Sequence, residues 1–106
     1  MEERFKSFND FYPFYLKEHS NKICRLLHVI GTTIVIALAI SAIYQNNPVL
    51  WIFVPVAGYG FAWVGHYFFE KNKPATFKYP LWSLGSDFKM YFEILSGKIS
   101  LDASKD

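Results

Sequence analysis

The sequence predicts an all-α membrane protein: an antiparallel transmembrane helical hairpin whose N- and C-terminal amphipathic helices complete a small four-helix bundle. Three observations carry this. Apolar residues make up 52% of the chain and charged residues only 19%, which excludes disorder. No Asp, Glu, Lys or Arg occurs from Leu26 through Phe69, and a soluble helix pair with no charged face over such a length has nothing to show to water. Two apolar runs, about 26–44 and 49–69, measure about 28 Å and 31 Å as helices, close to the thickness of a bilayer's hydrocarbon core. With 106 residues, the chain reads as a single domain over 1–106, too short for two independent cores.

The first element covers about 5–18, an aromatic-rich helix interrupted by Pro13. In "EHSNK" the chain breaks, and Ser20 or Asn21 can cap a new helix. The first span comes next, then "QNNP", whose polar residues and Pro48 read as a tight turn into the second span. Two helices joined in this way satisfy their own backbone hydrogen bonds in lipid. "EKNKPATFKYP" is a polar loop bounded by Pro74 and Pro80. The last helix, about 80–97, places Leu81, Leu84, Phe88, Tyr91 and Leu95 on one stripe and stops at Gly97. Such flanking helices lie on the membrane surface or cover the end of the hairpin.

Orientation follows from basic residues. Lys17, Lys22 and Arg25 precede the first span, Lys71, Lys73 and Lys78 follow the second, and the turn has none, which puts both termini in the cytoplasm. The N-terminus lacks the apolar core of a signal peptide, so insertion is expected to rely on the internal spans. A net charge of +2 without a basic stripe gives no sign of nucleic-acid binding. Cys24 is the only cysteine, so no internal disulfide forms, and a buried thiol is expected.

Measured from the shared turn, His28 lies nineteen positions before Asn47 and His66 eighteen after Pro48, so both imidazoles should sit about 27 to 28 Å from it. His28 shares a helix face with Gly31, Thr32, Val35, Ala39 and Ala42, and His66 shares one with Gly58, Tyr59 and Ala62. Small residues let helices approach closely in lipid, so these are the expected contact faces, and they are also the surfaces through which a second copy could associate. The break before Asn21 lets His19 join the same layer. A single interfacial histidine is commonly an ordinary amphipathic side chain. Three in one layer, where ionisable groups are costly, point instead to a metal or acid–base site. Neither CxxC nor HExxH occurs, so spacing leaves the metal open.

Other candidates carry alternative readings. Glu70, one turn beyond His66, can ligate a metal, orient a histidine or pair with a lysine. Asp87 reads as a helix-start carboxylate before it reads as a ligand. Arg25 can clamp a substrate carboxylate or merely snorkel to the interface. The aromatics Trp51, Phe53, Trp63, Tyr67, Phe68 and Phe69 read as a membrane belt and packing.

"FYPFYLKEHSNKICRLLHVIGTT" and "GYGFAWVGHYFFEKNKPATFKYPLWSLGSDFKMY" together resemble the Mpo1-like family, formerly a domain of unknown function. The resemblance implies an iron(II)-dependent dioxygenase that shortens 2-hydroxy fatty acids by one carbon in sphingoid-base breakdown, using O2. It implies that the essential histidines fall on His19, His28 and His66; for an octahedral iron with three protein ligands, an all-histidine set or two histidines with Glu70 or Asp87 would serve equally. It implies residence in the endoplasmic reticulum of a eukaryote or the inner membrane of a bacterium. Two other classes remain: a non-catalytic hairpin that scaffolds partner helices, and a metal-dependent lipid hydrolase. Dependence on O2 separates the hydrolase from the dioxygenase.

Overall fold

Four α-helices and no strand make up the described part of the chain, residues 5–102 of the computed structural model. The ends of the predicted single domain, 1–4 and 103–106, lie outside the described residues. Helix α1 (Phe8–Glu18) starts at Ser7, whose Oγ accepts a hydrogen bond from the Asp10 amide at 3.2 Å. Its buried face, Phe11, Tyr12 and Tyr15, packs with Met90 of α4 (Pro80–Leu95) into an aromatic core that also draws in Phe14, Tyr79 and Trp82. Tyr12 Oη donates to Glu93 Oε1 at 2.6 Å and fixes the register of the two helices.

The expected break after Glu18 is present, and Asn21 rather than Ser20 is the cap. Its Oδ1 accepts from the amides of Ile23 at 2.8 Å and Cys24 at 3.2 Å, so α2 (Lys22–Gln45) begins one turn before the uncharged run. At the far end Asn46 adopts a left-handed conformation, φ 51°, which directs the Asn47 amide back to Ala42 O at 3.0 Å. Asn47 Oδ1 then accepts from the Val49 amide at 3.1 Å, and α3 (Leu50–Val64) begins. The helical path continues through a π-helical turn, Gly65–Glu70, which Lys71 closes at φ 62°.

Helices α2 and α3 form the predicted hairpin, and glycine sets how closely they approach. A Cβ on Gly31 would lie 2.8 Å from Phe61 Cβ, and one on Gly65 would lie 2.9 Å from Cys24 Sγ and 3.2 Å from Cys24 Cα. Both distances are below ordinary contact, so these positions need glycine. Gly31 and Gly65 of the small-residue faces are thus used inside the hairpin.

The loop after Lys71 passes through a short 3-10 turn, Ala75–Phe77, into α4. Here the structure differs from the pattern. The expected stripe is split: Leu81 and Leu95 face outward, Leu81 at 79% exposure, and Leu84 is about half exposed, while Tyr91 is buried together with Ser83, Ser86 and Met90. The inward face of α4 thus combines Ser83 and Ser86 with the larger Met90 and Tyr91. Thr33 Oγ1 and Tyr91 Oη, 2.9 Å apart, attach that side to α2.

Candidate metal centre

Three chain segments deliver the three histidines to one point. His19 is the residue that ends α1, with its backbone out of the helical region at φ −123°, ψ 49°. His28 lies on the second turn of α2, and His66 lies in the π-helical turn after α3. All three are buried, and their ring centroids lie 4.3 Å (His19–His66), 4.5 Å (His19–His28) and 5.2 Å (His28–His66) apart. One ligating atom from each comes within 4.8 Å of the others, the only such group of His, Cys, Asp or Glu among the described residues. A π-turn adds a residue to a helical turn and rotates the side chains beyond it, a device that recurs at functional sites.

The outer nitrogens decide the chemistry of the inner ones. His19 Nδ1 lies 2.7 Å from Tyr15 O, and His28 Nδ1 lies 2.9 Å from Cys24 O. A carbonyl only accepts, so each Nδ1 carries the hydrogen. His66 Nδ1 lies 2.7 Å from Asn72 Oδ1. The Asn72 amide cannot be turned round, because its Nδ2 donates to Glu18 O at 3.2 Å and to Glu18 Oε1 at 3.3 Å. Each ring, when neutral, is therefore the Nδ1–H tautomer with a lone pair on Nε2. His19 Nε2 and His28 Nε2 face each other at 3.1 Å, so that with both rings neutral two acceptors meet.

Burial favours that neutral form. It holds the His19 imidazole well below the usual histidine range, and the neighbouring His28 and His66 push in the same direction. Lone pairs gathered in a buried space are unfavourable unless a cation stands among them. His19 and His28 already have the donor spacing of a metal site: at about 2.1 Å from an ion, two nitrogens at right angles lie about 3.0 Å apart, which the observed 3.1 Å matches. The space lined by the three rings measures about 20 Å³, room for one water-sized occupant. Hydrogen-bonded outer nitrogens are also what ligating histidines require.

The other predicted residues are distributed differently. Glu70 turns away from the rings: its Oε2 accepts from the Asn21 amide at 2.5 Å and its Oε1 from Ser20 Oγ at 3.5 Å. It thus holds the start of α2 and leaves the ligand cluster to the histidines. Arg25 is buried, and its Nε donates to His19 O at 2.5 Å while its Nη1 donates to Ser100 O at 2.6 Å. Those bonds brace the backbone beneath His19. Asp87 is not a helix-start residue, since α4 begins at Pro80. It accepts a hydrogen bond from Tyr15 Oη and lines the histidine pocket from the α4 side. Burial pushes its carboxyl up to about 7, opposed by the Tyr15 hydroxyl. Tyr15 in turn stacks on the His19 ring at 3.9 Å between centroids, and burial followed by the Asp87 charge raises its hydroxyl well above the usual tyrosine value.

Two participants have no signature in the sequence. Asn72 positions His66 across a gap of six residues, and only the left-handed Lys71 folds it back; a polar asparagine in a loop is otherwise unremarkable. Ser83 lines the histidine pocket with an Oγ that is buried and has no hydrogen-bond partner among the described residues.

Comparison with known proteins gives one family. A family profile described as 2-hydroxy-palmitic acid dioxygenase Mpo1-like matches residues 5–99. Searches of curated proteins and of solved structures give no match.

Proposed function

The chain belongs to the Mpo1-like family, and on that premise we propose an iron(II)-dependent dioxygenase that converts a 2-hydroxy fatty acid and O2 into the acid one carbon shorter, carbon dioxide and water. One observation carries the reading: three buried Nε2 lone pairs converge while each Nδ1 is held by an acceptor. His19, His28 and His66 would hold the iron. A first-row metal with three imidazoles keeps positions open for the hydroxyl and carboxylate of a 2-hydroxy acid and for O2, and supplies the one-electron chemistry that O2 needs. Around it the chain's own groups have plain tasks. Tyr15 O, Cys24 O and Asn72 Oδ1 fix the tautomers, the Tyr15 ring covers one face of His19, and the buried aromatic core between α1 and α4 keeps water from that side.

We place the protein in a membrane with both termini cytoplasmic. Lys22–Gln45 and Leu50–Glu70 are long and apolar enough to cross one, with mean hydropathy 2.3 and 1.2. Ile40, Ile43, Ile52, Val56 and Phe68 are exposed around the hairpin, an apolar surface of the kind lipid covers. The outward leucines of α4 extend it. The centre then lies at the cytoplasmic end, where a lipid's polar head meets its hydrocarbon tail.

Metal analysis of anaerobically purified protein, with O2 uptake on 2-hydroxypalmitate, tests the reading. The wild type should hold about one iron per chain, and His66→Ala should lose both iron and O2 uptake. Turnover that proceeds without O2 would assign a hydrolase. Unchanged iron and uptake in His66→Ala would remove the centre from the mechanism.

A further inference from the structure

A cavity of about 190 Å³ opens beside the histidine pocket, between α2, α3 and α4. His28, Tyr59, Ala62 and Asp87 line both spaces, so the two adjoin. From His28 the wall runs along α2 through Thr32 to Val35, residues on successive turns, a length of about 10 Å. Opposite, Ala62, Gly58 and Val54 descend α3 at four-residue spacing. Leu84 and Phe88 of α4 form the third side. The result is a straight trough, apolar away from the histidines, whose charged group, Asp87, stands at the end where the metal would lie. At that end the Ser83 hydroxyl is buried without a partner among the described residues, a cost that a ligand accepting its hydrogen would relieve.

Resting on the dioxygenase reading, we propose that this trough seats the half of the alkyl chain nearest the head of the 2-hydroxy acid, with Ser83 donating to that polar head beside the histidines and Val35 and Val54 marking the far end. A straight hydrocarbon chain fits such a space because helix-line walls offer dispersion contacts without polar partners. Reach, not head chemistry, then sets which chain lengths are accepted. Ser83 is a positioning residue in this scheme, and Val35 and Val54 determine specificity.

Two measurements test the proposal. In the first, Val54→Phe fills the far end, where the cavity has room for the larger ring, and KM is compared for 2-hydroxypalmitate and 2-hydroxyoctanoate. The long acid should lose about ten-fold in kcat/KM while the short acid changes little. Ser83→Ala should raise KM for both acids, and Ser83→Thr should restore it. In the second, a 2-hydroxypalmitic acid with a diazirine midway along its chain is photolysed with iron-loaded wild-type protein under nitrogen, so that binding is read without turnover. Adducts near Val35 and Val54 support the seat. Adducts on the outward residues Ile40, Ile43 and Ile52, or an unchanged length profile in Val54→Phe, overturn it even where the wild type consumes O2. Adducts in the trough of a protein that oxidises no 2-hydroxy acid retain the seat and reject the reaction.

Discussion

Replacing Asn72 by alanine isolates the part of the centre that no ligand contributes. Asn72 Oδ1 accepts from His66 Nδ1 at 2.7 Å, and its Nδ2 ties the loop to Glu18 O and Oε1 at 3.2 and 3.3 Å. Alanine removes the acceptor, so the His66 ring is free to rotate or change tautomer and Nε2 is no longer held toward His19 and His28. Loss of such a supporting partner typically weakens metal binding 10- to 100-fold, about 1.4 to 2.7 kcal/mol. Loss of the two longer bonds to Glu18 lowers folding stability by about 0.5 to 1.5 kcal/mol each. Asn72→Asp separates the effects. It keeps the acceptor for His66 but gives up the donation to Glu18 and sets a carboxylate beside Glu18 Oε1. The expected result is weak metal binding in Asn72→Ala, near-normal binding in Asn72→Asp, and reduced thermal stability in both. Anaerobic competition titration against a chelator, with thermal unfolding of the same samples, measures each quantity. Wild-type affinity in Asn72→Ala, or equal weakening in the two variants, would refute the claim that this hydrogen bond orients His66.

Gly65→Ala should destabilise the fold by about 1 to 3 kcal/mol, because its Cβ would meet the backbone of Cys24 at 3.2 Å; thermal unfolding in detergent reads this, and an unchanged midpoint would mean that the helices yield freely. Asp87 gives a pH signature in the metal-free protein. Its folded value of about 7 is raised above the ordinary 3.8, so the folded state binds the proton more tightly. Stability is then fully present below about 4 and is lost as pH rises through about 7, a slope that Asp87→Asn should flatten in melting curves. A chelator should lower the melting temperature of iron-loaded wild type and leave His28→Ala unaffected, since only an ion bound to the folded state stabilises it.

Much of the fold was legible in the sequence. The uncharged run, the "QNNP" turn and the "EHSNK" break are local signals, and each appears where expected; that Asn21 rather than Ser20 is the cap and that Asn46 is the left-handed stop came from the structure. Equal depth of His28 and His66 comes from counting residues along two helices of known rise, and the ring centroids lie 5.2 Å apart. The phase of α4 was not legible. A stripe of leucines marks one face, but around a membrane that face can turn outward, and Ser83, Ser86 and Asp87 fill the inward side instead. The roles of Glu70 and Arg25 were equally closed to inspection, because both act on backbone groups contributed by other segments.

The one-dimensional order of residues determined which segments become helices, where they stop and how far each histidine lies along its own helix, since those depend on rise, caps and the placement of charge. Only the folded chain decided which nitrogen of each ring is free. That choice rests on Asn72, on two carbonyls and on the close approach that Gly31 and Gly65 permit, contacts between residues whose separation along the chain carries no signal of their meeting. Hydrogen bonds and packing act through space, so the chemistry of the centre belongs to the tertiary structure.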